Sequence, residues 1–292
     1  MTKDLDLRAA GLALLLSALW GGNPVAIKIG LEDAPPLRLA WMRIVLGGLS
    51  ILTWAWRTGG LAGFRVHPSE RGPLLFLGLL FTVQLALLNI GTDLTTASRS
   101  AVLINAYAVH TVVLAHFLVP GDRLTTRKLT GALIAYAGIV ILFVRQVGSG
   151  LATWPGDLIV SVSAILLGAR TTYLARSVQR VDPYKLLLAQ ALIGSAAFVV
   201  TSYWVEADSP YRWTTPLAVS VLYQGLVVAG FNFTANLWLL KRYRPSALAG
   251  FYLTSPIFGV LLSSLFTGEP LTAELLLASL MVAAGIGLTR QA

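Results

Sequence analysis

The chain has 292 residues, of which 56% are hydrophobic and only 12% charged, and its mean hydropathy is +0.73. Composition this apolar excludes a water-soluble globular domain and implies one integral membrane domain over residues 1–292. The formal net charge of +9 would point to nucleic acid in a soluble protein; here the basic residues sort by loop, so no nucleic-acid partner is expected. The chain lacks Cys, which excludes disulfides, thiol catalysis and thiolate metal sites.

In chain order, residues 1–9 mix Lys3 and Arg8 with Asp4 and Asp6 and run into an apolar stretch without a small-residue cleavage site. That pattern reads as a first spanning helix, not as a removed signal peptide. A crossing needs roughly twenty mostly apolar residues. Such runs occupy about 9–30, 36–56, 73–91, 97–118, 126–144, 157–176, 185–204, 216–239, 246–267 and 273–289. The connections between them carry breakers: Gly59-Gly60 with Pro68, Gly121, Gly148 and Gly150 with Pro155, Pro210 and Pro245. Ten crossings place both termini on one side. Of the 22 Lys and Arg, Arg43 and Arg170 fall within spans, and Lys28, Arg38, Arg99, Arg145 and Arg212 flank the side opposite the termini. All the others flank the side of the termini, so the positive-inside rule predicts cytoplasmic termini.

The chain also reads as one half written twice. Pro36 and Pro183, Gly121 and Gly268, Leu129 and Leu276, and Gly138 and Gly285 each stand 147 residues apart. Gly47 and Gly194, and Arg43 and Gln190, keep the same interval. Repeat one covers about 1–146 and repeat two about 147–292. Each holds five crossings, an odd number, so the second lies inverted relative to the first. The expected fold class is therefore all-α integral membrane, with ten transmembrane helices as two inverted five-helix repeats. Inverted repeats of this kind point to a carrier.

Several motifs resemble the drug/metabolite transporter superfamily, and in particular its EamA-type ten-helix members. They are Trp20-Gly21-Gly22-Asn23-Pro24 followed by Lys28, proline and Arg43 in the second span, and the Gly-acid-x-Leu-Thr elements at 121–125 and 268–272. Gly138 and Gly285 complete the set. Two departures stand out. Asp122 replaces the family's Glu in the first acid element, and roughly His110 stands where Pro256 would align. The resemblance implies export of amino acids or related metabolites, and of drug-like compounds, through the inner membrane of a bacterial cell.

In such a carrier the substrate site lies near the midplane between the repeats. Trp20, Gln84, His110, Arg170, Asn232 and Tyr252 fall at central depth, and Asn23, Asn89, Asn105, Tyr107, Tyr173 and Asn236 lie within a few turns. These are the candidate substrate-binding residues. Arg170 is the sharpest, because a guanidinium deep in a span faces a cavity or a partner and can hold a carboxylate with two hydrogen bonds. Snorkelling to the interface is its structural alternative. Arg43 lies nearer a span end and reads as structural. His110 reads either as a proton-linked group or as a buried histidine bonded within the bundle. The asparagines read either as ligand contacts or as interhelical glue. Pro24 and Pro256 are candidate hinges, because proline frees backbone groups in mid-helix.

No Asp or Glu falls in the middle of any span. Strong proton or sodium coupling needs a buried carboxylate or an equivalent ion cluster, so a facilitator, an exchanger or a weakly proton-linked exporter is expected. A membrane enzyme and a channel are the alternative classes, and no catalytic residue, metal or cofactor is assigned. The expected partners are a small-molecule substrate and membrane lipid, in a monomer or homodimer.

Overall fold

The structure is a computed structural model and describes residues 6–59, 65–118, 124–144, 153–178, 180–242, 251–252 and 254–290. Gly121, Asp122 and Arg123 of the first acid element lie outside them, as do Lys3, Gly60, Arg145, Gly148, Gly150, Arg244 and Pro245. Among the described residues every regular element is helical.

The helices are α1 (Leu7–Gly21), α2 (Asn23–Leu31), α3 (Pro36–Arg57), α4 (Pro68–Asp93), α5 (Ala97–Asn105), α6 (Tyr107–Leu118) and α7 (Thr126–Val144). They continue with α8 (Trp154–Ser177), α9 (Pro183–Val205) and α10 (Thr215–Leu222), which runs through a π-helical segment (Tyr223–Asn232) into α11 (Phe233–Arg242). The last two are α12 (Ser255–Thr267) and α13 (Ala273–Arg290). Counting α1 with α2 and α5 with α6 as continuous crossings, eight helices among the described residues are long and apolar enough to cross a membrane. Ser255–Thr267 and Ala273–Leu288 are shorter apolar helices. Among the described residues, eight of the ten expected crossings are thus seen at full length.

Local chemistry sets the helix starts. Proline opens α3, α4 and α9, where its missing N–H costs nothing. Asp182 caps α9 through the N–H groups of Tyr184 and Lys185, and Thr96 and Thr214 cap α5 and α10. Within the first span the helix breaks at Gly22, and Pro24 sits in the first turn of the segment beyond. Pro256 likewise sits in the first turn of α12, after the turn at Thr254. Each proline thus sits at the start of a helical segment. The break at Ala106 and the π segment carry no comparable signal in the sequence.

Packing follows the 147-residue interval. In repeat one α3, α5 and α7 are the second, fourth and fifth crossings, and they pack on α9, α12 and α13, their counterparts in repeat two. The contact of α4 with α9 is answered by that of the π segment with α3, and the contact of α4 with α8 by that of α10 with α2. The glycines make the correspondence residue by residue. A Cβ on Gly47 would sit 2.8 Å from Ala229, and one on Gly194 would sit 3.5 Å from Thr82, the counterpart of Ala229. Gly78 abuts Ile193, while Gly225 abuts Leu46. Gly138 meets Ala278, and Gly285 meets the carbonyl of Gly131. Gly21 meets Phe258, and Gly168 meets Thr111. Each pair of contacts is the other with its two repeats exchanged. Small residues at such crossings let backbones approach closely, which is the main source of helix association in lipid.

One end of the bundle is held by carboxylates on helix N-termini. Glu206 accepts from the N–H groups of Leu37 and Arg38, at 2.7 and 2.9 Å, and so caps α3. Glu269 accepts from Ala97 and Ser98, at 2.6 and 2.9 Å, and caps α5. The unpaired donors and the dipole of a helix start favour such anions. Gly268 ends α12 with φ +70°, a left-handed conformation that glycine adopts without strain, and so turns Glu269 toward α5. At the same end the buried carboxylate of Asp157 accepts from Arg99 at 2.5 Å and from Thr95 at 2.6 Å. Arg99 also donates to the carbonyl of Leu142.

Candidate functional site

A cavity of about 380 Å³ lies between the repeats, within the range of small-ligand sites. Its wall is mostly apolar, with side chains such as Leu16, Ile44, Ile51, Phe81, Leu167 and Val228. Polar groups enter it from several helices. Of the sequence-derived candidates, Trp20, Asn23, Gln84, Asn105, Arg170, Asn232 and Tyr252 line it, as does Pro24.

Four candidates lie elsewhere. Asn89 is fully buried and donates to the carbonyl of Pro36 at 2.9 Å, joining α4 to the start of α3. His110 Nδ1 is hydrogen-bonded to the Tyr136 hydroxyl at 2.8 Å, and its Cβ packs against Gly168. Tyr173 meets Phe76 edge to face, with centroids 4.8 Å apart, and packs on the small core of Leu74, Leu77, Val181 and Leu186. Pro256 is buried in the first turn of α12. All four are within reach of central depth by residue count. Depth is read from position along a helix, however, whereas facing depends on its rotation, which the sequence of an apolar helix scarcely encodes.

Both intramembrane arginines reach the cavity. Arg170, on α8, donates to Gln84 at 3.2 Å and lies over the Phe81 ring at 4.9 Å. Gln84 is itself held by Ser163, which takes a hydrogen bond from its side-chain amide at 3.0 Å and donates to its backbone carbonyl at 2.7 Å. Arg43, on α3, is buried and donates to Gln224 at 2.5 Å. Gln224 donates to Ser220, and Ser220 to the carbonyl of Ala26. Reading Arg43 as structural thus describes only part of its position, since it also forms cavity wall. Each arginine is held by a glutamine from the third crossing of one repeat.

Sequence reasoning missed Gln190, Gln224 and Ser255 as wall residues, whereas Asn236, four residues from Asn232, lines the wall with it. The repeat could have found two of them. Gln190 is 147 residues from Arg43, and Ser255 is 147 from Ala108, which also lines the cavity. Part of the wall obeys the interval: Trp20 and Leu167, Asn23 and Arg170, Pro24 and Thr171, and Leu85 and Asn232 all line it. Asn105 and Tyr252 do so too.

The two irregular stretches of helix meet beside this wall. Tyr223, the first residue of the π segment, donates from its hydroxyl to the carbonyl of Leu19 at 2.6 Å, just before the break at Gly22. A π turn widens a helix and is frequent at functional sites. Gln224, Val228, Ala229 and Asn232 of this segment all face the cavity. Asn232 donates to the carbonyl of Leu16 at 2.8 Å, Asn105 to Ala101 at 2.7 Å, and the Tyr252 hydroxyl to Asn236.

The EamA-like transporter family model matches the chain twice, over residues 7–144 and 154–291. An uncharacterized transporter, YvbV, from Bacillus subtilis strain 168 is 26% identical over 284 residues, covering 96% of this chain and 90% of that one. A probable amino-acid metabolite efflux pump of Salmonella typhimurium is 26% identical over 290 residues, covering 94% and 92%. A solved crystal structure with 19% identity superposes with a TM-score of 0.69 over 97% of both chains, which supports the fold. With a family match on each side of residues 145–153 and a cavity between the two matched segments, the chain belongs to the EamA-like transporter family and is an integral membrane transporter of the drug/metabolite transporter superfamily.

Proposed function

We propose that this protein is a secondary exporter of small organic solutes, amino acids or related metabolites, working by alternating access of two inverted five-helix repeats. The observation that carries the reading is the cavity: it lies between the repeats, and matched positions of both repeats, such as Asn23 and Arg170 or Asn105 and Tyr252, contribute to its wall. A site shared symmetrically by inverted halves can be exposed to either side by rocking one half against the other. All ten apolar segments are taken to cross. The helical residues 251–252 that precede α12 lengthen the ninth, and α13 at about 1.5 Å per residue nearly spans the hydrocarbon. The excess of basic residues on one side supports cytoplasmic termini in a bacterial inner membrane. The solute class draws on the names of relatives called amino-acid metabolite efflux pumps.

Exchange or facilitation fits the side chains better than strong ion coupling. The central spans hold no carboxylate, and His110 is engaged with Tyr136 away from the cavity. Flux in proteoliposomes tests the reading. Uptake that saturates with solute and accelerates when solute is loaded on the far side supports a carrier. Non-saturating ion current, or chemical alteration of the solute, would replace that reading with a channel or an enzyme.

A further inference from the structure

The cavity carries two guanidinium groups, and among the described residues no Asp or Glu lines it. Arg43 is buried and Arg170 half-buried, and both line the same cavity. Their partners, Gln224 and Gln84, are neutral amides that orient the cations without offsetting their charge. Placing one unpaired cation inside a membrane protein is costly, and like charges facing one cavity add repulsion. Two polar atoms on the same wall are also unused: Arg170 Nε and Ser255 Oγ are buried with no hydrogen-bond partner within the protein. Such atoms normally find partners, and both can donate.

We infer that the transported solute is a small organic anion with two acid groups on an apolar body, one acid group received at Arg170 and Ser255 and the other at Arg43. This rests on the carrier reading and narrows its solute class. A zwitterionic amino acid has no net charge to offset the arginines, and its ammonium would face two cations without a carboxylate in the wall. A dicarboxylate offsets both charges and takes the unused donors. Arg170 can then hold its carboxylate through two parallel N–H bonds, while the apolar wall, with Phe81 under the guanidinium, covers the connecting carbons.

The test measures binding of glutarate, L-glutamate and leucine to detergent-purified protein by calorimetry and thermal stabilisation, for wild type, Arg43→Gln and Arg170→Gln. Glutarate is expected to bind wild type at least about 30-fold more tightly than leucine, and to lose at least about 30-fold in each variant, the usual scale for truncating a buried charge pair. L-glutamate falls between the two. Leucine binding as tight as glutarate, or glutarate binding that survives both substitutions, overturns the inference. Should a variant fail to fold, the selectivity of wild type alone still decides. Liposome flux separates this claim from the one beneath it. Glutarate that binds selectively but shows no saturable flux removes the carrier reading and keeps the ligand class, whereas saturable leucine flux with glutarate excluded does the reverse.

Discussion

The seams where the repeats cross and the wall of the cavity they enclose obey the same 147-residue interval with opposite results. At several seams the matched positions hold the same residue: Gly47 and Gly194, Gly78 and Gly225, Gly138 and Gly285. Along the wall they hold unlike residues: Arg43 opposite Gln190, Asn23 opposite Arg170, Leu85 opposite Asn232, Ala108 opposite Ser255. A crossing helix pair tolerates little besides glycine at its closest point, because its neighbour is backbone or Cβ, and at these three pairs of positions both copies keep the same solution. A wall residue meets open volume and is free to differ. Shape is therefore held in common by the two halves, while charge and hydrogen-bonding capacity are distributed unequally between them.

That contrast can be broken by substitution. The largest effect is expected at the seam: Gly138→Leu and Gly285→Leu should each abolish most folded protein, because the new side chain meets Ala278 or Ala135 and the facing backbone. Size-exclusion profiles in detergent check this, and a well-folded variant at either position would show that the seams are not equivalent. Next, Asp157→Ala should destabilise thermal unfolding by about 3–5 kcal/mol, since it strands the Arg99 guanidinium in a buried pair. A stability change near zero would mean that Arg99 finds its partner elsewhere.

Exchanging the unlike wall residues sharpens the contrast further. The double variant Arg43→Gln with Gln190→Arg moves a cation to the mirrored position and should change stability by only about 1 kcal/mol. Saturable flux should nevertheless fall at least about tenfold, if charge placement governs the solute. Unchanged flux would make the wall as symmetric in effect as the seams. Smaller again, Glu206→Gln and Glu269→Gln should each cost about 1 kcal/mol by weakening a helix cap, read from the melting temperature. The smallest effect belongs to His110→Gln. Flux should stay within about twofold and stability within about 1 kcal/mol, the net worth of one hydrogen bond. A large loss of flux there would restore a proton-linked role to a residue that lies off the cavity.

Much of this architecture was legible in the sequence for a physical reason. A crossing must be apolar over its whole length, and a repeat must keep its interval wherever helices touch, so spans and offset could be read from composition and spacing. Arg170, Gln84 and Trp20 could be placed at the cavity because depth follows from counting. Asn89 could not be told from Asn105, nor Tyr173 from Tyr252, because in lipid both faces of a helix are apolar and the sequence carries little phase. The widened turn over Tyr223–Asn232 left no trace either, since the hydropathy of YQGLVVAGFN is indifferent to whether each turn holds three and a half residues or more. The Gly268-Glu269 motif was visible as a pattern, yet its contact with α5, more than 170 residues earlier in the chain, belongs to the folded state alone.

That last contact bears on kinetics. Glu206 and Glu269 grip the starts of two different helices at the same end of the bundle, each through a pair of backbone N–H groups. Parting the helices at that end releases four amide hydrogens and two carboxylates at once, and water must enter to solvate them. In the proposed alternating-access cycle such a clasp would act as a detent, holding one resting position and re-forming without being guided by cargo, so that discrimination among solutes would fall to the cavity and the tempo to the clasp.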